Sequence, residues 1–124
     1  MKAEKMTEGS QSAMIIDRSA ALDRVGGDEE LLREIAGLFL EEYPTLIQEI
    51  RAAIENGDAH ALERSAHSLK GSVANFEATA AVSAAFRLES LGRSNNLENA
   101  REAMVALDVA FEALHPVLIN LSTE

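Results

Sequence analysis

The sequence predicts an all-α protein: an antiparallel up-down-up-down four-helix bundle with a short additional N-terminal helix. Three observations carry this prediction. Apolar residues recur three and four positions apart through most of the chain. Small clusters of Gly, Asn, Asp and Ser cut it into pieces of helical length. No stretch alternates apolar and polar residues with the two-residue period of a strand. Short connections between long amphipathic helices force neighbours to run antiparallel, which gives the bundle topology.

Residues 1–13 are polar, contain Gly9 and several serines, and show no period. They read as a disordered tail, leaving 14–124 as one domain. Asp17 to Leu22 suits a short helix stopped by Gly26-Gly27. Asp28 is a good N-cap, and Glu29 and Glu30 complement the dipole of the helix that follows. Its expected stripe is Leu31, Ile35, Leu38, Phe39, Leu46, Ile50 and Ile54, with a kink or short break near Glu41 to Tyr43 ahead of Pro44. Asn56-Gly57 ends this helix, and Asp58 caps a second one running to about Asn75. Thr79 caps a third, carrying Val82, Phe86, Leu88 and Leu91 and closed by Gly92. After Ser94-Asn95-Asn96, the residues Leu97, Ala100, Met104, Leu107, Phe111, Leu114, Leu118 and Leu121 form the most regular seam in the chain. Pro116 is expected to bend its final turns.

A chain of 124 residues that is 47% hydrophobic supports one domain around one core. It has no cysteine, which excludes disulfides and thiolate metal sites. No apolar run nears the ~20 residues that span a bilayer, and Met1 to Met6 lacks the apolar centre of a signal peptide. The expectation is a cytoplasmic monomer with no membrane insertion. With 21 acidic against 11 basic residues and a net charge of -10, the chain repels phosphate backbones. Nucleic acid is therefore not the expected partner.

The chemistry concentrates in Ala66-His67-Ser68-Leu69-Lys70-Gly71-Ser72. With about 100° per residue, Leu62, Ala66, Leu69, Val73 and Phe76 form the buried stripe of this helix. His60, Glu63, His67, Lys70, Gly71 and Ala74 fall on the opposite side. His67 is thus presented to solvent, where an imidazole with an ordinary pKa near 6.5 is mostly neutral and nucleophilic at pH 7. Lys70, one turn on, can neutralise charge spread over phosphoryl oxygens. Gly71 costs about 1 kcal/mol relative to alanine inside a helix, and clearance for an incoming domain would account for it. Ser68 and Ser72 could add hydrogen bonds or simply be small surface residues. No glycine-rich phosphate loop or kinase signature is present.

The segment Ala66 to Phe76 resembles the signature of the histidine-containing phosphotransfer (HPt) domain, a helical bundle that exchanges phosphoryl groups with response-regulator receiver domains. Asp28-Glu29-Glu30, Pro44, Asn56-Gly57-Asp58 and Leu88 to Arg93 fit the same family, so the resemblance runs from about Ile15 to the C-terminus. It implies that His67 is the phosphoacceptor, Lys70 the stabilising cation and Gly71 the close-approach glycine. The partners implied are receiver domains and a hybrid histidine kinase. The receiver supplies the aspartate and Mg2+, and this chain binds no cofactor and is a relay, not an autonomous enzyme. Glu77 stands where the family usually has a second glycine.

The docking surface expected around His67 comprises His60, Glu63, Arg64, Ser68, Gly71, Ser72, Ala74, Asn75 and Ala78. One rival is a metal site on His60, Glu63 and His67, but the two histidines are two turns, about 10 Å, apart. The other is an interaction bundle without phosphoryl chemistry. His115 is expected to be a plain helix-surface residue.

Overall fold

The computed structural model describes residues 15–124, and every regular element among them is helical. The expected disordered tail lies outside the described residues. Helix α1 (Arg18–Arg24) starts where the Asp17 side chain accepts a hydrogen bond from the Ala20 N–H at 3.0 Å. Asp28 does the same for Leu31 and starts α2 (Glu29–Glu55). Asp58 caps α3 (Ala59–Val73), which tightens into a 3-10 turn at Ala74–Phe76. Then follow α4 (Thr79–Arg93), a 3-10 turn at Leu97–Asn99, and α5 (Ala100–Ser122). The four long helices pack in chain order into a closed ring, each against the next and α5 back against α2. Helix α1 lies across one end, where Asp17 N–H donates to the Phe76 carbonyl and Arg18 pairs with Glu29 and Glu124.

The expected seams of α3 and α5 are buried, with Leu97 partly so. Helix α2 differs in two ways. It continues through Pro44 with no break. Its buried face is Leu32, Ala36, Phe39, Tyr43, Ile50, Ala53 and Ile54, while Leu38 is 63% exposed and Leu31 also faces solvent. Aromatic packing sets this rotation: Phe39 lies 5.4 Å from Tyr43 and 5.5 Å from Phe76 between ring centroids, and Tyr43 lies 5.1 Å from Phe111. The aliphatic stripe is thereby turned partly outward.

Helix α4 departs furthest from expectation. Its N-cap position is Ala78, without a side-chain cap, and Thr79 is its first residue. Its inner face is nearly all small: Ala81, Ala84, Ala85, Leu88, Glu89 and Gly92 are buried, whereas Phe86 is 50% exposed. A Cβ on Gly92 would fall 2.6 Å from the Glu63 amide nitrogen and 2.8 Å from the Ala59 carbonyl. Gly92 therefore sets the close approach of α4 to α3 and does not simply terminate a helix.

The C-terminal helical stretch Leu97–Ser122 is long and apolar enough, by length and composition, to cross a membrane, although Glu98, Arg101, Glu102, Asp108 and Glu112 interrupt its apolar sequence. In the fold it is the fourth wall of the bundle, with Ala103, Leu107, Leu114 and Leu118 in the core.

Candidate functional site

The close contact at Gly92 brings Glu89, three residues earlier on α4, beneath the outer face of α3. Glu89 is 2% exposed, and it is the buried charged residue of the core. An isolated buried carboxylate is costly unless it is paired and hydrogen-bonded. Here Oε2 lies 2.9 Å from His67 Nδ1 and 3.0 Å from Arg93 Nη2, and Oε1 lies 2.7 Å from Lys70 Nζ. The Lys70 contact is close but bent away from regular hydrogen-bond geometry, so it acts mainly as an ion pair. Burial alone would push the Glu89 pKa up. The ammonium of Lys70 and the hydrogen-bonded imidazole of His67 together outweigh burial and hold the carboxyl below its ordinary range.

An ionised carboxylate can only accept hydrogen bonds. The partner of His67 Nδ1 thus places the proton of the neutral ring on Nδ1 and leaves Nε2 with a free lone pair. The imidazole side chain is 67% exposed, so a nucleophilic nitrogen is available to an incoming group. Beside it, Lys70 is partly buried, with its ammonium 5.0 Å from the centre of the Phe86 ring. Arg93 also binds Glu63 through Nε at 2.9 Å, bridging carboxylates on α3 and α4.

Of the expected surface residues, His60, Arg64, Ser68, Gly71 and Asn75 are exposed, and Ser72 and Ala74 are half-buried. Nothing lies within 4 Å of where a Gly71 Cβ would stand. Glu63 is half-buried, and its Oε2 accepts a hydrogen bond from Arg93 Nε. Ala78 is a correction: it is 1% exposed and packs in the core. Extrapolating the helix period to position 78 fails because α3 ends at Val73 and the chain turns at Glu77, where φ is +53°. This left-handed conformation is the physical reason a glycine suits position 77; here Glu77 adopts it and pairs with Arg24 at 2.9 Å. His115 is exposed on α5, as expected, and its Nδ1 shares a hydrogen bond with the Tyr43 hydroxyl. Among the described residues, no group of three or more His, Cys, Asp or Glu is placed to hold a metal ion.

Glu89, Arg93 and Phe86 join the site only in the fold; the sequence pattern places Phe86 on an apolar stripe and leaves the two charges without a part in the chemistry. A signal for Glu89 did exist. It stands four residues after Ala85 and eight after Ala81, a lone charge on an otherwise small, apolar helix face.

The Hpt domain family model matches residues 34–116, more than half of the chain. Among solved structures, the chain is similar to the histidine-containing phosphotransfer protein B (HptB) of Pseudomonas aeruginosa PAO1. That match has 21% identity and a TM-score of 0.80, and covers 90% of this chain and 98% of the other. A comparison with curated proteins returns no match.

Proposed function

The chain belongs to the Hpt domain family, whose members are phosphotransfer carriers, and on that footing we propose that His67 is its phosphoacceptor. The donor is the phosphorylated aspartate of a response-regulator receiver domain, and the phosphoryl group passes on to another receiver in a multistep relay fed by a hybrid histidine kinase. The observation that carries this reading is the 2.9 Å contact between His67 Nδ1 and the buried Glu89 carboxylate.

The bond changes follow from that contact. Nε2 donates its lone pair to phosphorus as the bond from phosphorus to the aspartyl oxygen breaks, and the aspartate leaves as a carboxylate. No proton has to leave Nε2, because the ring proton is on Nδ1. Positive charge develops on the imidazole as its lone pair is used, and Glu89 stabilises it through the Nδ1–H bond. Lys70 faces the charge on the equatorial oxygens. Mg2+ belongs to the receiver, where it neutralises phosphoryl charge; nothing in this chain's role requires a cofactor of its own. Exposed Ser68, Gly71 and Asn75 provide a docking face with little side-chain bulk, as a transient signalling contact needs. We place this relay in the cytoplasm, acting as a monomer.

The test is transfer of label from a phosphorylated receiver. The expected result is an acid-labile, base-stable adduct on His67, abolished in His67→Gln with helical circular dichroism unchanged. Equal labelling of the variant would move the site elsewhere. No labelling of either protein would favour a bundle that binds partners without phosphoryl chemistry.

A further inference from the structure

Phe86 is the exposed aromatic side chain of this protein; Phe39, Phe76, Phe111 and Tyr43 are all buried. Half of its surface faces water, on a helix whose inner face is built from alanines. An aromatic side chain has much apolar area to lose by such exposure, so its position calls for a local reason. One lies 5.0 Å away, where the Lys70 ammonium stands over the ring, within the ~6 Å range of cation–π attraction. Phe86 and Glu89 are three residues apart on α4 and therefore neighbours on one face. They approach the same ammonium, the ring from one side and Oε1 at 2.7 Å.

We propose that Phe86 is a positioning residue for phosphoryl transfer: its ring and the Glu89 carboxylate form a two-sided cradle that holds the Lys70 ammonium beside the acceptor. The inference rests on His67 being that acceptor. A lysine side chain otherwise samples many rotamers, and ordering it during the reaction would raise the barrier. An ammonium carries three donors. The carboxylate attracts the ammonium on one side and the ring face on another, which leaves N–H donors for a phosphoryl oxygen. A leucine at position 86 would cover the lysine stem but has no negative ring face to hold the charge.

The experiment uses the whole chain and phosphoramidate as donor, so that receiver docking plays no part. The bond from Nε2 to phosphorus forms as the phosphorus–nitrogen bond of the donor breaks and ammonia leaves, its nitrogen already protonated. Phe86→Leu should slow labelling of His67 about two- to five-fold, and Phe86→Trp should restore the wild-type rate. In a Lys70→Gln background Phe86→Leu should have no further effect. In the wild type the Lys70 Hε resonances should show an upfield ring-current shift that Phe86→Leu removes. Equal slowing in both lysine backgrounds, no slowing at all, or no ring-current shift in the wild type would each overturn the proposal. If the wild type is not labelled on His67 under any condition, the acceptor reading itself fails, and this inference with it.

Discussion

Gly92 on α4 meets the backbone of Glu63 on α3 with no room for a side chain: a Cβ there would stand 2.6 Å from the Glu63 nitrogen. The carboxylate of Glu89, one turn earlier on α4, reaches His67 because the two helices are this close. Helix packing and site chemistry are therefore the same contact seen at two points, and substitutions should separate them.

The two glycines near the site should behave oppositely. Gly71→Ala meets open space and should stabilise the protein by up to about 1 kcal/mol through helix propensity. Gly71→Leu should keep the fold and weaken receiver binding in titration calorimetry. Gly92→Ala forces α4 away from α3 and should cost about 1–3 kcal/mol in chemical denaturation. It should also slow transfer by separating Glu89 from His67. A Gly92→Ala protein of full stability and full rate would show that the approach is not required.

Glu89→Gln removes the charge while keeping the shape. Transfer to and from a receiver should slow by about 10- to 100-fold, as when an orienting partner of a reactive group is lost. Nitrogen NMR provides the structural check. The wild type should show the Nδ1–H tautomer of His67, and Glu89→Ala a mixture.

Acid should act through the same carboxylate. Glu89 has a folded-state pKa below its ordinary value of 4.5. Its stabilisation is therefore fully present above that value and is lost as pH falls through the lower folded value. The stability difference between wild type and Glu89→Gln, measured by denaturant unfolding, should shrink progressively below pH 4.5. A difference that stays constant down to complete acid unfolding would show that Glu89 is not the linked group.

Position 77 tests backbone strain apart from the chemistry. Glu77 holds φ at +53°, and its side chain makes a surface ion pair to Arg24; such pairs contribute about 0–1 kcal/mol. Glu77→Gly should be near neutral, because relief of strain is offset by a more flexible unfolded chain. Glu77→Val should cost more than about 1 kcal/mol, since a branched side chain tolerates this conformation poorly. Thermal unfolding of the two variants measures the contrast.

The caps at Asp28 and Asp58 and the registers of α3 and α5 were legible because they are written in local patterns, a capping carboxylate or large aliphatics three and four apart, whereas Thr79 proved to be the first residue of α4 and not its cap. The registers of α2 and α4 were not. Alanine contributes little to an apolar stripe, so Ala36, Ala81, Ala84 and Ala85 gave way in the reading to larger residues such as Leu38 and Phe86, which the fold exposes. His67, Lys70 and Gly71 could be read together because they share one helix. Glu89 lies 22 residues from His67 in sequence, and only the α3–α4 approach makes them partners. A residue whose role exists through another helix leaves only an anomaly in its own segment, here a charge on a face of alanines.

His67 sits on one helix and the carboxylate bonded to it on the next, with Arg93 spanning both through Glu63 and Glu89. Reactivity is therefore a property of the helix pair and not of the motif. Should α4 part from α3, the imidazole would lose its fixed tautomer and Lys70 its seat, whereas the aromatic contacts of Phe39, Tyr43 and Phe111 lie on α2 and α5. A copy opened at this contact would keep the helix that carries the motif and lose the arrangement around it.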